Sequence, residues 1–239
     1  MALYKEQGIV LRTMNLGEAD RIVTILTQGI GKVRAVAKGV RKTKSRFGAR
    51  LEPFTHVDLL LYEGRELDIV TQADIISPFA QIRADYGRFV AGEMILEAAE
   101  KIIEERERNT RMFMLVLSAL RRLCEPDADA PTVADAFLLR LTSLAGFSPS
   151  LTACAECGRT GERMRFSIQQ GGTVCADCRM GATLTVAEET VPYLIDLMDR
   201  GTAEIAASDR VRREGSNIVR AYLEYHVNRP LRSWTHVPR

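Results

Sequence analysis

Histidine is scarce in this chain, and its placement excludes most acid–base chemistry. The three histidines, His56, His226 and His236, are scattered through 239 residues, and none belongs to a base-plus-nucleophile pattern. His56 falls at the start of an expected strand and His226 on the last expected helix, positions that suit structural or surface roles. No His-Glu-x-x-His pair is present for a zinc hydrolase, and no phosphate-binding loop either. Gly29-Ile30-Gly31-Lys32 lacks the Gly-x-x-x-x-Gly-Lys-Ser/Thr spacing and leads into a strand instead of a helix. Acidic pairs such as Glu104-Glu105 and Glu188-Glu189 are expected on solvent-facing helix surfaces. A non-enzymatic protein is therefore the expectation. No stretch approaches 18 uncharged apolar residues, which leaves out a membrane-spanning helix. Met1 to Glu6 lacks a basic start followed by an apolar run, so no secretory signal is expected and a cytoplasmic location is. Net charge is only +2, and apolar residues make up 46% of the chain, ordinary for a folded protein with one large or two modest domains.

Cysteine is also sparse, at five residues, yet four of them are patterned. Cys154-Ala-Glu-Cys157 and Cys175-Ala-Asp-Cys178 are two Cys-x-x-Cys pairs separated by 17 residues. Four soft thiolates at this spacing fit one tetrahedral Zn2+ ion, and a full set of four leaves no open position for a catalytic water. The expectation is one structural zinc. Gly158 follows the first pair, where a tight turn often demands positive φ. Phe166/Ile168 and Val174 read as two short strands around Gly171-Gly172, the build of a zinc ribbon. Two disulfides are the alternative, disfavoured by the expected compartment. A redox role for one pair leaves the other unexplained. Cys124 follows an apolar helical stretch and reads as an inert buried thiol.

Hydrophobic periodicity organises the rest. Up to about residue 76, five short β-branched segments are expected as strands: Gly8–Arg12, Arg21–Thr27, Lys32–Ala37, His56–Tyr62 and Leu67–Thr71. Gln28 to Gly31 and Glu63 to Glu66 read as hairpin loops. Five strands in so short a span predict a small closed barrel of OB type. After Ser77-Pro78 the period changes from 2 to 3.6. Phe79, Ile82, Tyr86, Phe89 and Val90, then Leu96, Ala99, Ile102 and Ile103, predict a helix or helix pair. Met112 to Leu123 predicts another, and Thr132 is placed as the cap of a third with Ala134, Phe137, Leu138, Leu141 and Leu144 inward and Gly146 as its stop. Thr185-Val186-Ala187-Glu188 reads as a capping box for a helix ending at Gly201, and Ser208 begins the last helix. The fold class is α+β: an OB-type barrel over 1–78, then an all-α domain in two parts, 79–150 and 184–239, with the four-cysteine module inserted at 151–183.

Charge is concentrated in one place. From Gly31 to Arg50 there are eight basic residues, Lys32, Arg34, Lys38, Arg41, Lys42, Lys44, Arg46 and Arg50, and no acidic one. On a strand, Lys32, Arg34 and Lys38 share one face, and Val33, Ala35 and Ala37 the other. A phosphate backbone is the natural partner, held by salt-sensitive, sequence-independent contacts. A solvated loop balanced by acids elsewhere is the alternative. Phe47 lies within the run, either to stack on a base or to anchor the loop to the barrel. Arg159, Arg163, Arg165 and Arg179 surround the cysteines, where they either contact DNA or keep a small module soluble. A zinc-ribbon adaptor for RNA or transcription machinery is the competing functional reading.

Three stretches together resemble the RecO family of bacterial recombination mediators. One runs from Gly8-Ile9-Val10-Leu11-Arg12 through Gly17-Glu18-Ala19-Asp20-Arg21 and Gly31-Lys32 to Ala37-Lys38-Gly39-Val40-Arg41. Another is Leu141-x-x-Leu144-Ala145-Gly146-Phe147-x-Pro149 leading into Cys154-x-x-Cys157-Gly158. The third is Leu231-Arg232-Ser233. The resemblance spans nearly the whole chain in the expected order. It implies an OB barrel followed by a helical domain with a zinc module. It also implies binding of single- and double-stranded DNA, ATP-independent annealing, and, with RecR, loading of RecA onto strands coated by single-strand-binding protein, RecF being involved indirectly. It implies contact of the helical domain with the acidic tail of single-strand-binding protein, for which Arg121-Arg122 or Arg212-Arg213 are candidate charges beside a plain solvated face. A nucleoid-associated cytoplasmic location follows from the same resemblance.

Overall fold

The computed structural model describes residues 2–43, 45, 47–161, 164–199, 205–227 and 231–233. The chain divides into two compact units, Met1–Asp127 with Ser233–Arg239, and Ala128–Arg232.

In the first unit, β1 (Leu3–Leu16), β2 (Asp20–Thr27), β3 (Gly31–Ala37), β4 (His56–Tyr62) and β5 (Asp68–Ser77) close into a barrel in the order β1-β2-β3-β5-β4. β3 and β5 are parallel, β4 pairs antiparallel with β1, and the order is that of an OB barrel. The alternation expected on β3 is present: Val33, Ala35 and Ala37 are buried, Arg34 is exposed, and Lys32 and Val36 are half-buried. The interior is filled by these residues with Val10, Val23, Ile25, Val57, Leu59, Leu61 and Val70. β1 and β5 are longer than the sequence suggested. Lys5, Glu6, Gln7, Gln72 and Asp74 weaken their β signal, but each of these residues lies in a paired register that satisfies its backbone groups.

β1 buries both of its faces from Ile9 to Leu11. Its register with β2 shifts between Val10 and Arg12, so Leu11 is an extra residue. Val10 points into the barrel core, and the outer face of β1 is covered by a helix that packs across it, α2 (Tyr86–Ile102). The short α1 (Ala80–Ala84) precedes it, and α3 (Thr110–Leu123) follows. Asp85 caps α2 by accepting from the Arg88 amide at 2.8 Å, and Asn109 caps α3 by accepting from the Met112 amide at 3.1 Å. Glu104 and Glu105 are exposed, as expected, but belong to the α2–α3 connection instead of a helix. That connection lies against the start of β3: the Arg106 amide donates to the Lys32 carbonyl at 2.9 Å. It approaches so closely that a Cβ at Gly31 would stand 2.0 Å from the Glu107 carbonyl oxygen, and Gly31 has φ of 92°.

The second unit contains α4 (Ala130–Leu144), β6 (Arg165–Ser167), β7 (Gly172–Val174), α5 (Thr190–Asp199) and α6 (Asp209–Val227). Two helix starts differ from the sequence reading. α4 begins with Asp129 at the cap position and Pro131 in its first turn, where proline needs no amide partner; Thr132 is inside the helix and its hydroxyl donates to the Asp129 carboxylate. Leu144, expected inward, is exposed, because it lies in the last residue of α4 before Gly146 (φ 94°) turns the chain away. α5 does not use Thr185 and Glu188 as a capping box. Glu214, from α6, accepts from the Ala187 amide at 2.7 Å and from the Thr190 hydroxyl at 2.8 Å, so a neighbouring helix supplies the carboxylate. Glu188 and Glu189 are exposed just before α5. The stop expected at Gly201 lies outside the described residues. Ser208 does start α6, accepting from the Val211 amide at 3.3 Å.

Candidate metal centre and basic barrel surface

The two Cys-x-x-Cys turns are brought together by the β6–β7 hairpin. Its ladder pairs Arg165 with Val174 and Ser167 with Gly172. Gly172 (φ 147°) lets the chain pass against Ser150, whose carbonyl oxygen would stand 2.2 Å from a Cβ there. In the first turn, the Gly158 amide donates to the Cys154 carbonyl at 2.9 Å and Gly158 takes φ of 71°. In the second, the Cys178 amide donates to the Cys175 carbonyl at 3.3 Å.

The sulfurs of Cys154, Cys157, Cys175 and Cys178 all lie within 4.8 Å of one another, and Cys157 and Cys175 are 3.9 Å apart. A tetrahedral site with metal–sulfur bonds of about 2.3 Å has sulfur–sulfur edges of about 3.8 Å. The four-thiol group can therefore hold a metal ion. All five cysteines are free thiols, so the two-disulfide alternative is not the one adopted. Hydrogen bonds from the Cys157 and Cys175 amides draw the Cys154 thiol down to about 6. Cys157 and then Cys175 push the Cys178 thiol up to about 12. Thiolates this close repel one another, and a cation at their centre would relieve that repulsion. Cys124 is half-buried, and burial raises its thiol.

The module is fastened to α6. The Phe166 ring meets Tyr222 edge-on at 6.1 Å, the Tyr222 hydroxyl donates to the Gly171 carbonyl at 3.4 Å, and His226 Nε2 lies 3.0 Å from the Ile168 carbonyl oxygen. Among the nearby arginines, Arg159 pairs with Asp177 at 2.8 Å and so ties the two turns together, while Arg165 donates to Thr185 at 3.0 Å. Arg179 is exposed, and Arg163 lies outside the described residues.

The basic residues are not equivalent. Arg34, Lys38, Arg41 and Lys42 are exposed, and Arg50 is half-buried in the turn Gly48–Leu51. Lys32 is half-buried, and its ammonium donates to the Glu100 carbonyl at 2.5 Å, a helix-end contact that holds α2 to β3. Arg41 donates to the Gly17 carbonyl at 3.1 Å. Lys44 and Arg46 lie outside the described residues. Phe47 is buried in the barrel core, so of its two roles the structure selects the anchor. Arg12 was not legible as part of this surface. It pairs across Thr24 with Arg34, in one cross-strand row. Only the strand register brings it there, since it is separated from the basic run in sequence. Arg12 also meets Glu100 at 3.3 Å with its side chain 60% exposed.

Of the other candidates, Arg122 is bound by Glu125 and Asp127, and Arg212 by Asp129, while Arg121 and Arg213 are exposed. His56 is buried against Phe113, and burial lowers its imidazole, which fits a structural role. Among the described residues no helix is long and apolar enough to cross a membrane.

An OB-ordered barrel is a common scaffold for holding oligonucleotides, and here a helical unit and a four-cysteine cluster accompany it. The family model described as recombination protein O N terminal matches residues 1–79, and that described as recombination protein O C terminal matches 83–235. The proteins named DNA repair protein RecO from Frankia casuarinae and Thermobifida fusca are 48% and 46% identical over the whole of this chain and of their own. One of the same name from Nocardioides is 46% identical over 99% of this chain and all of its own. The chain belongs to the RecO family of DNA repair proteins.

Proposed function

We propose that this chain is a recombination mediator without catalytic chemistry of its own. It binds single- and double-stranded DNA through the barrel of residues 1–78 and anneals complementary strands without ATP. With RecR it helps load RecA onto DNA coated by single-strand-binding protein, whose tail meets the helical domain, and RecF acts indirectly. It works in the cytoplasm, at the nucleoid. The observation that carries this reading is the sorting of β3 into an apolar inner face and an outer face bearing Arg34, continued past the end of the strand by exposed Lys38, Arg41 and Lys42. A cationic surface of this kind screens the repulsion between two phosphate backbones, so annealing needs no nucleotide hydrolysis. Lys44, Arg46 and Arg50 extend the same run, and Lys32 adds charge at its edge.

We assign the four cysteines to one structural Zn2+. When bound, the ion supplies no reaction chemistry but neutralises the thiolates and fixes the two turns. The fastening of that module to α6 supports a structural role.

The test is annealing of complementary oligonucleotides without ATP, with and without single-strand-binding protein, across a salt series. Annealing that weakens steeply with salt is expected. Its retention after Arg34, Lys38, Arg41 and Lys42 are all changed to alanine would reject the barrel surface. Binding to RNA with no annealing of DNA would favour a zinc-ribbon adaptor instead.

A further inference from the structure

We infer that Tyr86 and Phe89, at the start of α2, form a stacking platform for unpaired bases of a nucleic acid strand whose phosphates the basic segment holds. This rests on the DNA-binding reading above and adds the element that tells a single strand from a duplex.

On the outer side of β1, β2 and β3 the strand register sets Arg12, Thr24 and Arg34 in one row and Met14, Ile22 and Val36 in another, with Thr24 and Ile22 buried. They offer cations and aliphatic surface but no ring. Proteins that grip single strands combine a basic groove with aromatic faces, because every base has a π face to stack. Within the first unit, the exposed aromatics among the described residues are Tyr86, at 65%, and Phe89, at 40%. Phe47, Phe54, Phe79 and Phe113 are buried, and Tyr4 and Tyr62 half-buried.

Tyr86 and Phe89 are three residues apart on a helix and so share a face. Phe89 meets buried Phe54 edge-on at 5.8 Å, which fixes its ring. Arg83 lies over the same Phe54 ring at 5.8 Å and donates to Thr55 at 3.0 Å, so a guanidinium is held beside the platform. The platform is also joined to the basic segment along the chain. Arg50 is four residues before Phe54, a span of no more than about 14 Å. Nearby acids are engaged: Glu52 pairs with Arg21 at 2.7 Å, and Asp85 accepts from the Arg88 amide at 2.8 Å. The Arg88 guanidinium turns to the Glu125 carbonyl at 3.0 Å, and the Arg83 guanidinium stays beside the Phe54 ring. Glu93, one turn beyond Phe89, is half-buried. The Arg83 guanidinium and the basic segment favour a polyanion over a cationic protein segment. Bases inside a duplex already have both faces stacked, so exposed rings select unpaired ones.

The experiment compares Tyr86→Ala with Phe89→Leu, singly and together, on the full chain, using an oligothymidine and a duplex of equal length. Leucine keeps the apolar contact with Phe54, and thermal melting verifies the fold. Single-strand affinity is expected to fall about tenfold per lost ring, with duplex affinity and salt dependence within twofold of the original. Tyr86→Phe is expected to restore binding. Unchanged single-strand affinity, or equal loss on both DNAs, overturns the platform. Failure of the unaltered protein to bind single strands at all would instead sink the DNA-binding reading beneath it.

Discussion

The Asp68 carboxylate, fully buried at the β4–β5 turn, accepts from the Arg106 guanidinium at 2.7 Å, from a residue 38 positions further along the chain. The Tyr4 hydroxyl also donates to it, and the Gly64 amide does so at 3.1 Å. Burial, then the hydrogen bond to Asp68, raises the Tyr4 phenol well above its ordinary range. Three segments of the first unit are thus tied through one carboxylate: the start of β1, the last barrel hairpin and the α2–α3 connection. Arg106 reaches it from a left-handed backbone conformation, φ 57°. Arg106→Ala leaves Asp68 buried with only part of its partners and is expected to cost about 2–3 kcal/mol, since the arginine is half-exposed and its charge partly screened. Urea denaturation followed by circular dichroism reads that loss, and a change below ~0.5 kcal/mol would show that Tyr4 and Gly64 alone suffice.

Lys32 and Arg34 lie two residues apart on β3 yet should respond differently. Lys32 holds the Glu100 carbonyl, whereas Arg34 is exposed. Arg34→Ala is expected to lower the salt slope of DNA binding by about one and leave stability within ~0.5 kcal/mol. Lys32→Ala should lower stability by about 1 kcal/mol through the lost helix-end contact. Parallel melting and salt-titrated binding curves separate the two.

Phe47 anchors the basic loop in the barrel core, so Phe47→Ala should destabilise the protein by about 3–5 kcal/mol. If base stacking were its role, DNA affinity would fall at unchanged melting temperature.

Asp135 gives the second unit a pH dependence. Burial raises its carboxyl to about 7, with one opposing hydrogen bond from Ser216 at 3.1 Å. Asp129, Arg212 and Tyr193 are the other charged or titratable groups of that cluster. A carboxyl raised in the folded state contributes stability below its unfolded value, near 4. That stability is lost as pH climbs to about 7, at a slope of about 1.4 kcal/mol per unit. Asp135→Asn should flatten this decline, Ser216 still finding an acceptor. Chemical denaturation at pH 5 and pH 8 measures it, and identical pH profiles for both proteins would exclude Asp135 as the source.

Metal content is expected at about one zinc per chain, and Cys154→Ser should abolish it. Because Phe166 and Ile168 meet Tyr222 and His226, loss of the ion should also disturb tyrosine signals in the near-ultraviolet circular dichroism. A chelator that removes zinc without altering those signals would separate the module from α6.

Much was legible in the linear pattern because the deciding interactions are local or periodic. Alternation on β3 sorted Val33, Ala35 and Ala37 from Arg34, the two Cys-x-x-Cys pairs announced that their four thiols would gather in one group, and Ser208 marked the start of α6. Tertiary structure decided the rest, wherever the partner is distant in sequence. Glu214 replaced the capping box written at Thr185 and Glu188, Phe47 was drawn into the core, and strand register set Arg12 beside Arg34. Periodicity records which side of an element is apolar. It does not record which other element arrives to cover that side, so charge and aromatic surface were assigned only when α2 packed across β1 and left Tyr86 and Phe89 exposed.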